Sequence, residues 1–210
     1  MNSSTSTLCI AFAGNRQIAS GSLHAVALKA QESVNRDSAA SVLIFDDTTS
    51  HVIEVDLRGT PEALAQRIAQ STADAPQPDE PATTEEGARR PGRPKLGVVA
   101  REVTLLPRHW DWLATQPGGA SVALRKLVEA ARKTNQGKDR RRLALESAYR
   151  FISAMAGNEP GFEEAARALF AGNETRFAEV VEPWPINVRD HAKKLAAAAF
   201  ERSDFAPPLS

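Results

Sequence analysis

VVAREVTLLPRHWDWLATQPGGASVALRKLVEAARK, residues Val98–Lys133, carries the pattern on which the fold reading turns. Val98–Leu106 is rich in β-branched and aliphatic residues and predicts a strand. Pro107 suits the first position of a helix and predicts one over RHWDWLATQ, stopped by Pro117-Gly118-Gly119. Ser121 is a candidate N-cap for a second helix, in which Leu124, Leu127, Val128 and Ala131 recur on one stripe. The order is strand, helix, glycine turn, helix. If Val103 and Leu105 face a core, Ala100, Glu102 and Thr104 face the other way.

Immediately before this stretch stands RRPGRPK, Arg89–Lys95, with four cations and two prolines in seven positions. Pro91 and Pro94 favour an extended backbone, and Gly92 removes a side chain between two basic flanks. The wider charge pattern makes the cluster informative. The 210 residues hold 26 basic and 26 acidic side chains, yet residues 1–88 are net −7, residues 89–142 net +10 and residues 143–210 net −3. A basic block of this kind points to a polyanionic partner.

Before the basic block, STADAPQPDEPATTEEGA (71–88) holds three prolines, five acids and no large apolar residue, and reads as an acidic flexible linker. Residues 1–70 read as a small α+β domain, β-β-α-β-β-α. LCIAFAG and QIASG form a hairpin around Asn15-Arg16, and Ser22 caps a helix over LHAVALKAQESV. SVLIF and HVIEVDL follow as a second strand pair, joined by DDTTS and wet on one face. Thr60-Pro61 then opens a helix over PEALAQRIAQ.

Residues 138–210 read as helical throughout. AGNEPGFEEA (156–165) and AGNETRFAEV (171–180) form a faint repeat of helix stop and start, with Gly ending one helix, Asn capping the next and a Phe docking it. ARKTNQGKDRRR (131–142) reads as a solvated basic connector. The proposed organisation is thus 1–70, the linker 71–88, a basic arm 89–97, a strand-helix-helix segment 98–137 and a helical region 138–210.

Other features exclude function classes. A lone cysteine, Cys9, lies in an apolar run and excludes an intrachain disulfide or a thiolate metal site. His24, His51, His109 and His191 are scattered without metal-ligand spacing, and Asp46-Asp47 suits a turn. No catalytic residue, metal or cofactor is expected, and the chain does not read as an enzyme. Trp110, Trp112 and Trp184 read as core or interface anchors. No stretch approaches the roughly 20 apolar residues of a membrane span, and the N-terminus lacks a basic region before its short apolar run, so the expected location is the cytoplasm.

On VTLLPRHWDWL and GGASVALRKLVEAAR the segment resembles the ribbon-helix-helix DNA-binding fold, which implies an obligatory homodimer whose paired strands enter the major groove. The resemblance places Val103 and Leu105 in the dimer interface, and Arg101, Glu102 and Thr104 on or beside the ribbon. It also sets Arg125 and Lys126 against phosphates. RRPGRPK resembles an AT-hook through Gly92-Arg93-Pro94, with Pro91 where that motif usually has arginine. The likeness implies minor-groove contact by Arg89, Arg90, Arg93 and Lys95, with a preference for A·T-rich duplexes. Over nearly the whole chain apart from the acidic linker, the sequence is similar to an uncharacterised bacterial family, domain of unknown function 2239. The similarity is carried by GRPKLGVVAREVTLLPRHWDWLATQPGGAS and YRFISAMAGNEPGFEEAARALFAG. That similarity implies no activity. The expectation is therefore a homodimer binding double-stranded DNA, as a transcriptional regulator or nucleoid-associated factor. The alternative is a protein-interaction adaptor whose ribbon only dimerises and whose helical tail holds a partner.

Overall fold

The computed structural model describes residues 8–37, 39–73 and 101–201, without the side chains of 71–73. It is a mixed α+β structure, mostly helical, and divides into two compact units: residues 1–75 together with 136–210, and residues 76–135.

In the first unit, β1 (Leu8–Ala13) and β2 (Arg16–Ser22) form the expected hairpin, and β3 (Val42–Asp46) pairs antiparallel with the other side of β1. The sheet order is β2-β1-β3, so the apolar run LCIAFA becomes the central strand. Its two faces enter different cores. Ile10 and Phe12, with Phe45 of β3, cluster with Phe151 and Ile152 and with Val188 and Ala192. Cys9 and Ala11, with Ile44, cluster with Val26, Ala27, Ala30 and Leu64. A strand buried on both faces needs no polar alternation, which explains the continuous apolar run.

The second core is covered by α1 (Leu23–Arg36) and α2 (Pro61–Ala73). Ser22 accepts a hydrogen bond from the Ala25 N–H at 3.4 Å, and Thr60 accepts from that of Ala63 at 3.3 Å, capping both helices as their sequences imply. The second strand pair is corrected: after β3 only the single bridge Phe45–Val52 forms, and the order is β-β-α-β-α. Ile53, Val55 and Leu57 still turn toward the core. The start of the segment still bonds β3, His51 accepting from the Asp46 N–H at 2.9 Å and Ile53 donating to the Ile44 carbonyl at 2.8 Å, but towards its end side chains meet the carbonyls instead. The buried Gln31 donates to the Leu57 and Gly59 carbonyls at 2.9 and 3.2 Å, and Arg67 donates to those of Asp56 and Arg58. With these end carbonyls met by side chains, the segment has less to gain from extending the ladder.

The other core is built by helices from the end of the chain. α4 (Gly119–Ala156) contributes Ala148, Phe151 and Ile152, and is followed by α5 (Phe162–Ala171), α6 (Glu174–Val180) and α7 (Ile186–Phe200). Gly172 ends α5 at φ 69°, a left-handed cap, and Asn173 caps α6 by accepting from the Arg176 N–H at 3.0 Å. The first copy of the repeat differs. α4 ends before Gly157, but Asn158 caps nothing, because Pro160 and a turn intervene and α5 starts only at Phe162. Trp184 is buried and its indole N–H donates to the Pro160 carbonyl at 2.9 Å, a core anchor as expected.

The second unit, described over 101–135, contains α3 (Pro107–Ala114) and the first part of α4. Pro107 opens α3, and the glycine turn follows. Gly118 has φ +86°, and a Cβ there would lie 3.1 Å from that of Val122, so only glycine suits the position. Ser121 is not the N-cap, because α4 begins at Gly119 and takes Ser121 into its first turn. The connector 131–142 is helix rather than loop. No proline interrupts it, the pairs Arg132–Glu129, Arg142–Asp139 and Arg142–Glu146 sit at helical spacing, and one interior glycine costs only about 1 kcal/mol against cooperative helix on both sides. Of the expected strand, 98–100 lie outside the described residues, and 101–106 join no sheet among the described residues. A lone strand without a partner in its own chain has nothing to pair with.

Candidate nucleic-acid interface

RRPGRPK, with Arg89, Arg90, Gly92, Arg93, Pro94 and Lys95, lies outside the described residues. The remaining expected contacts lie in the second unit. Arg101, Glu102 and Thr104 are all exposed in the segment leading to α3. Val103 is 52% exposed and Leu105 half-buried, so the expected interface pair is only partly covered.

Arg125 and Lys126 stand on the second turn of α4. The Arg125 Nε–H reaches back to the Ser121 carbonyl at 3.1 Å, and Lys126 makes no ion pair among the described residues. At about 3.6 residues per turn, Arg132 and Lys133 return to the side of α4 that Arg125 and Lys126 occupy, while Leu124, Leu127, Val128 and Ala131 share the other side. Residues 101–135 carry six basic and three acidic side chains. One acid, Glu129, sits among the cations and is 3.8 Å from Arg132.

On the apolar stripe of α4, Leu127 and Val128 are exposed, as are Val103, Leu106, Trp110 and Trp112. Trp110 and Trp112 are therefore not core anchors within the chain. Among the described residues of this unit only Leu113 and Ala123 are buried. A cation row beside unburied apolar surface can attract a polyanion and pack against another protein surface at once.

A second cluster, in the first unit, was not legible as a site. Cys9, Gln17, Ser20, Asp47, His191 and Lys194 line a cleft of about 420 Å³. His191 is buried, its ring 4.5 Å from that of Phe151 and 5.9 Å from that of Phe12. Burial, reinforced by Lys194 and opposed by Asp47, lowers its pKa to about 4. The spacing of Val188, His191, Ala192, Leu195 and Ala199 on one face of α7 was the available signal for this burial. Burial also pushes the Cys9 thiol up, with Asp46 and Asp47 adding to the effect. A thiol whose ionisation is opposed in this way is poorly suited to nucleophilic chemistry.

Asp46 belongs to a turn, as its sequence suggests. Burial works against its charge, but hydrogen bonds from the Thr49 N–H, the Thr49 hydroxyl and the Thr48 N–H hold its carboxyl below the ordinary range. Among the described residues no group of three or more His, Cys, Asp or Glu could hold a metal ion, and no helix is long and apolar enough to cross a membrane.

The architecture is thus a mixed α+β protein with a small three-stranded antiparallel sheet, mostly helical, with a basic second unit. The chain belongs to the DUF2239 family, described as uncharacterised proteins conserved in bacteria, which it matches over residues 8–196. No curated protein and no solved structure matches it.

Proposed function

We propose that the protein is a homodimer that binds double-stranded DNA, as a transcriptional regulator or nucleoid-associated factor. The observation that carries the reading is the state of the second unit. It buries little apolar surface, leaves Val103, Leu106, Trp110, Trp112, Leu127 and Val128 between 42% and 63% exposed, and presents Arg125, Lys126, Arg132 and Lys133 beside them. A second copy would cover the apolar stripe and pair residues 101–106 as a two-stranded ribbon, uniting two cation rows on one assembly. Arg101, Glu102 and Thr104 would then lie on or beside the ribbon. RRPGRPK would enter an adjacent minor groove, with Arg93 inserted and Arg89, Arg90 and Lys95 on its edges and the phosphates.

Filter-binding titration against duplex DNA at two salt concentrations tests the reading. Expected is binding that weakens with salt by about 0.9 log units per log unit for each phosphate contacted. Arg93→Ala should weaken binding to A·T-rich duplexes more than to G·C-rich ones, and Arg89→Ala should weaken both alike. No binding at low salt would reject the DNA reading. Self-association without DNA binding would instead favour the adaptor, whose ribbon only dimerises and whose helical tail holds a partner.

A further inference from the structure

Residues 1–88 hold 12 acidic side chains and only five cations: Arg16, Lys29, Arg36, Arg58 and Arg67. Two of these have structural work. Arg58 pairs with Asp56 at 3.2 Å, and Arg67 donates to backbone carbonyls. The other three line one cleft of about 270 Å³ in the first unit, with Ile18, Glu32 and Ser33.

The fold accounts for the convergence. Lys29, Glu32, Ser33 and Arg36 fall at i, i+3, i+4 and i+7 of α1, so they share one face of the helix. β2 is an edge strand, and its first residue, Arg16, reaches the same cleft. Only Lys29 is neutralised there, by Glu32 at 2.8 Å. Among the described residues Arg16 and Arg36 make no ion pair and the Ser33 hydroxyl makes no hydrogen bond. Charge on an edge strand can protect the edge, and Arg36 suits the end of a helix. Neither role requires both arginines to line one concavity with a lysine and a serine.

We infer that this cleft is a binding site for a phosphate-bearing anion, separate from the DNA surface and independent of that proposal. Guanidinium groups offer paired N–H donors matched to phosphoryl oxygens, the hydroxyl supplies a further donor, and Lys29 adds charge. The volume suits a phosphate group with a small organic remainder. Glu32 limits affinity, since it competes with the anion for Lys29.

The test is a titration of the full-length chain with inorganic phosphate at constant ionic strength, with chloride as the balancing anion, followed by amide NMR shifts. Expected is a saturable response confined to residues 16–18 and 29–36. Its apparent Kd should rise at least about tenfold in Arg16→Ala/Arg36→Ala, as loss of charged hydrogen bonds requires. Glu32→Gln, which leaves both arginines in place, should tighten binding several-fold. A non-saturating response, one retained in the double variant, or one weakened by Glu32→Gln would overturn the site. A short duplex that moves the same amides and loses that effect in the double variant would identify the phosphate as a nucleic-acid backbone. A duplex that leaves them unmoved while phosphate still saturates them would identify a small soluble anion.

Discussion

Lys194 Nζ contacts both carboxylate oxygens of Asp47, at 2.9 and 2.8 Å, across 147 residues of sequence. The pair ties α7 to the turn after β3 and stands beside His191 in the same cleft. The lysine is mostly exposed, so Lys194→Ala should destabilise the protein by less than about 1 kcal/mol in urea denaturation. The same substitution should raise the His191 pKa, because Lys194 is one of the two causes holding it down. An NMR titration of the imidazole that shows no rise would contradict this electrostatic picture.

His191 itself predicts a pH dependence. Its folded pKa of about 4 lies below the unfolded value of about 6.5, so between those limits the unfolded chain binds more protons. Stability from this group is complete above pH 6.5 and falls as the pH drops towards 4, by as much as about 3 kcal/mol. The depressed carboxylate of Asp46 acts in the same direction, and is lost at lower pH still. His191→Phe, placed against Phe12 and Phe151, should flatten the slope between pH 6.5 and 4. An unchanged slope in denaturation curves would assign the effect elsewhere.

Phe151 probes the joint core. Its ring lies 5.4 Å from that of Phe12 and 5.5 Å from that of Phe45, so a helix late in the chain packs on two early strands. Phe151→Ala should cost about 3–5 kcal/mol. Sheet and helices should lose structure in one transition when monitored by circular dichroism and by Trp184 fluorescence. Two separate transitions would show that the early and late blocks fold independently.

Val103→Asp examines the proposed assembly without touching that core. A charge on a 52% exposed residue should leave the first unit folded. It should also convert a dimer to monomer in analytical ultracentrifugation and abolish duplex binding together. A variant that remains dimeric would move the interface away from residues 101–106.

Local chemistry in the chain was enough to determine much of this protein. Ser22 and Thr60 as caps, Pro107 as a helix start, Gly118-Gly119 as a turn and Gly172 with Asn173 as a stop and start all act through neighbours within a few residues, so their effects can be read from sequence. The same holds for the three charge blocks. Tertiary structure alone decided what those elements meet. The run LCIAFA is central because helices cover both of its faces, and one of them, α7, begins more than 170 residues later. HVIEVDL pairs with β3 only at its start, and at its end Gln31 and Arg67 take the Leu57 and Asp56 carbonyls, an outcome involving two helices that its own alternation does not record. The phosphate cleft likewise depends on Arg16 and Arg36 meeting across a strand edge and a helix face. Burial and charge convergence are properties of distant partners, and periodicity in a single chain reports only which face is apolar, not what will cover it.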